Sequence, residues 1–296
     1  MDHLDELFEE VQSRQEEAVS QPFDKAAWAA QKRQERSDAY ALIDSTAEKM
    51  KCSGELFRTY LDVQARFGRC SVGNAILVTA QKPDATRLAD FDRWKEAGVF
   101  VSKGAVGITM LEPGGEYERE DGSIGVSYNT KKVFDVTQTS SKAGPAPTLT
   151  RDERLMLKAL ITHAPCDLKV SENLSERVNA IYKPEEKVIL VRKGLAGPAA
   201  FRSIAQELAH AHMDHGDYQR AECSNAAYCI CYILCKRYGV STDGMVFGQM
   251  PEKYTRMDTK AFRAELGRIR STANEISAEI NRALENEKRE KKGEAR

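Results

Sequence analysis

The sequence has no long hydrophobic run, no CxxC pair and no excess of charge of one sign. Its apolar stretches fall short of the roughly 18 residues of a membrane span, so we expect no membrane segment. The first residues are acidic, whereas a signal peptide starts basic and continues apolar. The 7 cysteines are odd in number and scattered, which favours a cytoplasmic protein with reduced thiols over a disulfide framework. Because the net charge is -1, nucleic acid could bind only at a local basic patch.

Changes in composition divide the chain into five parts. At 296 residues it has the length of about two domains. We predict an α+β fold, in which an N-terminal mixed domain with a small antiparallel sheet precedes a mostly helical domain with a small sheet and a long C-terminal helix. The predicted parts are a helical or flexible N-terminal extension (1–50), the mixed domain (51–138), a linker (139–149), the helical domain (150–257) and the C-terminal helix with a charged tail (258–296).

The spacing of apolar residues predicts the individual elements. Thr150 and Glu153 have the spacing of a capping box, so a helix is expected to begin there. Pro198 is expected as the first residue of the next helix. Further helices are predicted at residues 4–11, 55–67, 75–81, 90–97 and 221–238, strands at 99–101, 107–111, 131–136, 166–171, 178–182 and 187–192, and a polar hairpin loop through Gly114 and Gly115.

The helix after Pro198 contains the motif Gln206-Glu207-Leu208-Ala209-His210. In the HExxH pattern, two histidines at i and i+4 bind zinc, and the glutamate activates the metal-bound water. Here Gln206 replaces the first histidine, and a neutral amide is a poor zinc ligand. The motif predicts a zincin-like domain without proteolysis, with a buried polar helix in an ordinary helical domain as the alternative. Since a buried carboxylate without a partner is costly, Glu207 should be paired, protonated or exposed.

Five short motifs of the mixed domain resemble, in their order, the N-terminal domain of ArdC-type antirestriction proteins over roughly residues 52–140. The resemblance implies single-stranded-DNA binding and a place on conjugative plasmids and transposons. One position departs from the family, which tends to carry further charged residues where this chain has Ala105-Val106. The motifs are Ser71-Val72-Gly73-Asn74-Ala75, Gln81-Lys82-Pro83-Asp84-Ala85-Thr86, Trp94, Val101-Ser102-Lys103-Gly104 and Val133-Phe134-Asp135-Val136-Thr137-Gln138-Thr139.

The order of elements in the second half resembles the zincin-like half of ArdC-type proteins and the ImmA/IrrE metallopeptidases. The resemblance implies an acidic third ligand on the next helix, where Glu222 is the nearest match, although a register shifted by two would place Ser224 there. His210, Asp214 and Glu222 form another, unusual ligand set. We expect no cofactor and no enzyme activity. If a metal is retained, His210 and Glu222 are expected to bind zinc, and Glu207 is the catalytic base only if the domain is active.

The mixed domain also carries the residue types that bind single strands. Such proteins pair a positive groove for the backbone with aromatic or guanidinium faces on which bases stack. Between residues 51 and 111 there are nine Lys or Arg against six Asp or Glu. The alternative is that Trp94 belongs to the core, that Asn74 caps a helix and that the charges are ordinary solvated surface. The predicted DNA-binding residues are Arg66, Arg69, Asn74, Arg87, Trp94, Lys95 and Lys103.

The C-terminal helix has a heptad-type apolar seam, which must be buried on its own domain, on a second copy or on a partner helix. We therefore predict single-stranded DNA as the main partner and an element-encoded protein as a second partner through this helix. The alternatives are an active zinc metallopeptidase that cleaves a regulatory protein, and a scaffold for another protein. The seam consists of Phe262, Leu266, Ile269, Ala273, Ile276, Ile280 and Ala283.

Overall fold

The computed structural model describes residues 24–141, 152–195 and 197–294, with side chains up to residue 290. The fold is α+β, as predicted, with two three-stranded sheets. No helix in these ranges is long and apolar enough to cross a membrane. The helices are α1 Lys25–Cys52, α2 Gly54–Arg66, α3 Val72–Gln81, α4 Phe91–Glu96, α5 Glu153–Thr162, α6 Gly197–His212, α7 Arg220–Tyr238, α8 Glu252–Arg256 and α9 Thr259–Glu294. The strands are β1 Leu88–Ala89, β2 Ile108–Glu118, β3 Ile124–Asp135, β4 Asp167–Ser171, β5 Ala180–Lys183 and β6 Val188–Arg192.

The first sheet has the order β1-β3-β2 and is antiparallel throughout, as predicted. β2 is longer than expected, because the two glycines assigned to a hairpin loop lie inside the strand, where a bulge between Pro113 and Glu116 shifts the register. The expected strand at 99–101 is reduced to one bridge between Val101 and Thr139. A 3-10 turn, Val136–Gln138, follows β3 directly.

The second sheet has the order β4-β6-β5, with β4 parallel and β5 antiparallel to β6. Each strand lies within two residues of its predicted position. α5, which precedes the sheet, is capped by Asp152, whose side chain accepts the Leu155 N–H at 2.9 Å. The capping box expected from Thr150 is therefore not the cap, and Thr150 itself lies outside the described residues.

The helices of both halves share one hydrophobic core. α2 packs on α7, and α9 contacts α1, α3, α5, α6 and α7. In α1, the buried residues Ala39, Ile43, Ala47 and Met50 recur every three or four positions and belong to the same cluster as the core of α7 and α9. The stretch 1–50, predicted as a helical or flexible extension, is helical from Lys25 in its described part, and this helix packs into the common core. The helix predicted at 4–11 lies outside the described residues.

Arg237 joins three helices of this common core. Its guanidinium donates to the carbonyl oxygens of Ala65 in α2 at 3.3 Å and Ala273 in α9 at 3.2 Å, and to the hydroxyl of Ser277 at 2.9 Å. Burial lowers the pKa of Arg237 to about 10. The arginine closes the carboxyl end of α2, whose last carbonyl groups have no partner within the helix.

The heptad seam of α9 is buried inside the chain. All seven predicted seam residues, from Phe262 to Ala283, lie in the core. Packing on the chain's own helices was one of the predicted outcomes, and it leaves no part of the seam for another protein. The prediction that an element-encoded partner docks on this seam is therefore wrong for the folded chain.

Candidate functional site

The N-terminal motif residues build the frame of the mixed domain. Ser71 caps α3 by accepting the Asn74 N–H at 3.2 Å. The Asn74 side chain does not cap the helix. It bonds both backbone groups of Leu111, at 2.8 Å each, and Gln81 holds Thr109 in the same way at 2.9 Å. Asn74 was predicted to contact DNA or to cap the helix, but these two bonds commit its amide to attaching α3 to β2.

Asp135 fixes the loop that leads to Arg87. Its buried carboxylate accepts the N–H groups of Thr86 at 2.7 Å and Arg87 at 2.9 Å, and the hydroxyl of Thr137 at 2.6 Å. Burial alone would raise the pKa of Asp135, but these hydrogen bonds outweigh it and lower the pKa. Gln138 completes a capping box with Asp135. The hydrogen bonds of this turn thus place Arg87 next to β1, the outer strand of the sheet.

Trp94 is a core residue and does not offer a stacking face. Its side chain is 2% exposed, and its indole N–H donates to the Phe134 carbonyl at 3.0 Å. The guanidinium of Arg87 covers the ring, 5.3 Å from its centroid. The prediction that bases stack on Trp94 is therefore wrong for this conformation. The ring instead holds Arg87 in place by a cation–π contact.

Four of the predicted cations, Arg66, Arg87, Lys95 and Lys103, lie on segments of the mixed domain that contact one another or follow directly in sequence. Arg66 donates to the Pro83 carbonyl, next to the loop that carries Arg87. From Arg87 the contacts continue through Trp94, whose carbonyl accepts the Val99 N–H, to the turn that holds Lys103. Lys95 on α4 and Lys103 are exposed and form no ion pair with a described residue.

Two exposed phenylalanines lie on the same segments as Lys95 and Lys103 and were not predicted. Phe91, the first residue of α4, is 55% exposed, and Phe100, beside the Val101 bridge, is 63% exposed. Alternation in the stretch 99–101 is the signal that could have identified Phe100, since its neighbours on both sides are half-buried. We call this surface the basic edge and define it by Arg66, Arg87, Phe91, Lys95, Phe100 and Lys103.

Arg69 lies on a loop whose carbonyl oxygens accept hydrogen bonds from side chains of α9. Arg270 donates to the carbonyl oxygens of Cys70 at 2.6 Å and Arg69 at 3.2 Å, and Asn274 donates to the Gly68 carbonyl at 3.0 Å. The Arg69 side chain is exposed and has no described partner. The second half of the chain thus fixes the backbone of a predicted DNA-binding residue in the first half.

The second candidate site surrounds Glu207 on α6. Its side chain is almost fully buried and pairs with Arg220, with Nη1 to Oε2 at 2.8 Å and Nη2 to Oε1 at 2.6 Å. Oε2 also accepts the backbone N–H of Tyr182 at 2.8 Å. The prediction that Glu207 needs a partner is confirmed. The two oxygens together accept three hydrogen bonds, which commit most of the carboxylate's acceptor sites to Arg220 and Tyr182.

His210, one helical turn beyond Glu207, is completely buried. Its Nδ1 lies 2.9 Å from the Tyr218 hydroxyl, and its Nε2 has no hydrogen-bond partner among the described residues. Burial lowers the pKa of His210 to about 4, so the ring is neutral at pH 7. Burial likewise raises the pKa of Tyr218 to about 12.

The other predicted metal ligands point away from His210. Glu222 is exposed and pairs with Lys253 at 2.7 Å. Asp214 accepts the Tyr182 hydroxyl at 2.8 Å and pairs with Lys187 at 2.7 Å. In the part of the chain that the structure describes, no three His, Cys, Asp or Glu side chains are placed to hold a metal ion.

Neither predicted ligand set, His210 with Glu222 or the same pair with Asp214, is brought together in the described part of the chain. A divalent cation does not fit this pocket, because a guanidinium occupies the place beside Glu207 and only one histidine nitrogen is available. Sequence reasoning missed Arg220, Tyr218 and Tyr182. The signal that could have identified Arg220 is its position as the first residue of α7, two residues before Glu222.

Comparison with known proteins gives a likeness to solved structures of one protein. No protein-family model matches the chain, and no curated protein matches it. It is similar to the crystal structure of the antirestriction protein ArdC from plasmid R388 in its metal-free form, with 18% identity and a TM-score of 0.46 over 72% of this chain and 84% of that one. The Mn(II)-bound structure gives 17% identity and a TM-score of 0.46 over 72% and 83%. Both structures belong to the family that the N-terminal motifs resemble.

Proposed function

We propose that the chain binds single-stranded DNA along the basic edge and serves as an antirestriction-like protein of a mobile element. The observation that carries the proposal is the exposure of two rings that are close in sequence to exposed lysines: Phe91 is on α4 with Lys95, and Phe100 comes three residues before Lys103. Neither lysine forms an ion pair with a residue that the structure describes. Exposed aromatic rings offer faces on which the bases of a single strand can stack. The motif order of the mixed domain, which resembles that of single-strand binders, supports the same function.

The chemistry of the basic edge suits a flexible single strand better than a duplex. A base that stacks on an exposed ring contributes about 1 to 3 kcal/mol, and a duplex does not expose its base faces. The cations would contact phosphates without reading sequence, since ammonium groups act as point charges. We therefore expect binding that tolerates sequence, prefers single strands and weakens as salt rises.

The direct test is fluorescence anisotropy of a labelled single-stranded oligonucleotide, with the matching duplex as competitor. Phe91→Ala with Phe100→Ala should weaken binding by roughly 10-fold or more, which corresponds to about 1.4 kcal/mol. Tyr117→Ala is the matched control, because this ring is also half exposed but lies on the hairpin away from the edge. Equal affinity of the phenylalanine variant and the wild type, or equal competition by the duplex, would refute the proposal.

The antirestriction role has its own test in cells. Unmodified plasmid DNA that enters a restricting host should survive more often when the wild-type chain is present. The variant with both phenylalanines replaced should lose this protection while its amount and folding in the cell remain normal. Protection that persists in the variant would separate the antirestriction role from the basic edge.

A further inference from the structure

In the HExxH arrangement a positive charge lies beside the glutamate. In metal-dependent enzymes of that pattern the cation is zinc, and the glutamate lies close to it. In this chain the charge beside Glu207 belongs to Arg220, whose planar guanidinium bonds both carboxylate oxygens at 2.6 and 2.8 Å. Such a two-bonded contact is the geometry in which arginine and carboxylate match best.

We propose that Arg220 takes over the electrostatic role of the metal ion in this pocket, so that the domain folds without metal and Arg220 itself keeps divalent cations away from His210. The inference goes beyond DNA binding and does not depend on it. It assigns to Arg220 a function that explains why a neutral glutamine at position 206 is tolerated, since no metal remains for that residue to bind.

The surroundings of His210 give a second observation in support of the proposal. Its Nε2 is buried and without a partner in the described part of the chain, which is unusual because buried polar atoms are nearly always hydrogen-bonded. The orphaned nitrogen is the atom through which a zinc-binding histidine in this motif would coordinate. Glu207, one helical turn from His210, is the carboxylate that would attract a doubly charged ion to this site. Because the guanidinium of Arg220 bonds both of its oxygens, that negative charge is already neutralised.

The arrangement also ties three parts of the domain together. Arg220 begins α7, Glu207 lies in α6, and the Tyr182 N–H that completes the carboxylate's bonds belongs to β5. A metal ion in such a pocket would likewise link neighbouring elements through its ligands. The arginine therefore replaces both the charge and the cross-link.

The test compares Zn²⁺ binding by the full chain after treatment with chelator, measured by competition with a chromophoric chelator and by the shift in Tm. The proteins are the wild type, Gln206→His, Arg220→Ala and the double variant Gln206→His with Arg220→Ala. We expect no Zn²⁺-dependent rise in Tm for the wild type or Gln206→His. The double variant should bind Zn²⁺ at least about 10-fold more tightly than Gln206→His. Adding His210→Ala to the double variant should abolish the gain, which excludes binding at the cysteines.

The comparison remains decisive if variants without Arg220 fail to fold. Gln206→His keeps Arg220 and restores the two-histidine motif, so the proposal requires that this single variant stays free of Zn²⁺. One equivalent of Zn²⁺ bound by the wild type or by Gln206→His would overturn the inference. Equal Zn²⁺ affinity of Gln206→His and the double variant would overturn it as well.

Discussion

Replacing Arg237 by methionine should destabilise the whole chain, because this arginine links α2, α7 and α9. The change leaves the carbonyl oxygens of Gln64 and Ala65 without this donor, whereas the Ala273 carbonyl still accepts the Ser277 hydroxyl. Each buried unsatisfied carbonyl costs about 1 to 3 kcal/mol. Methionine, however, removes the unfavourable burial of a charge, which offsets part of this loss. We therefore expect a net loss of about 3 kcal/mol.

The assay is urea unfolding followed by far-ultraviolet circular dichroism and by tryptophan fluorescence. Circular dichroism reports all helices, whereas tryptophan fluorescence reports the buried Trp94 of the mixed domain and the half-exposed Trp28 of α1. Because both halves share one core, the two signals should change together in the wild type and shift together in Arg237→Met. Lys236→Met is the matched control on the same helix. Its pair with Asp62 is part-exposed, so its loss should stay below about 1 kcal/mol. Two separate transitions, or equal losses in both variants, would refute the single core.

Three further predictions concern stability. Gly54→Ala should destabilise the fold by more than about 2 kcal/mol, because the added Cβ would lie 2.1 Å from the Phe247 carbonyl oxygen. Gly267→Ala, which adds a Cβ in open space on α9, should stabilise the fold by about 0.5 to 1 kcal/mol. Equal unfolding midpoints of the two variants would contradict this prediction. The pKa of His210 is about 4 in the folded chain and 6.5 in the unfolded chain, so the unfolded state binds more protons between these pH values. Lowering the pH from above 6.5 to about 4 should therefore reduce the free energy of unfolding by about 3 kcal/mol. An equally steep acid loss in His210→Gln would show that another group is responsible. Asp135→Asn should cost about 1 to 3 kcal/mol by thermal unfolding, since an amide cannot accept all the donors that this carboxylate binds; an unchanged Tm would count against it.

The helices and strands were predictable where their apolar residues follow one period. The seam of α9 repeats over seven residues, and the strands of the second sheet are bounded by turn residues. The common core was not predictable, because the packing of α2 on α7 depends on residues far apart in sequence. Composition alone left α1 open as helical or flexible, although its few apolar residues are sufficient since they lie on one face.

In the candidate sites, too, the sequence predicts some features, whereas contacts between residues far apart in the chain decide the others. The need of Glu207 for a partner follows from the cost of a buried charge. The identity of that partner does not, because Arg220 lies 13 residues away across a loop. Likewise the sequence places several aromatic rings near the cations, but only the packing decides that Trp94 is buried and Phe91 and Phe100 are exposed.

The salt dependence of single-strand binding tests the central claim most directly. If Arg87, Lys95 and Lys103 each neutralise one phosphate, the logarithm of the association constant should fall with the logarithm of salt concentration with a slope of about -2. Lys103→Ala should make this slope shallower by about 0.7, whereas Lys169→Ala, an exposed lysine on β4, should leave it unchanged. A slope near zero, or the same slope in Lys103→Ala and the wild type, would contradict the assignment of the basic edge.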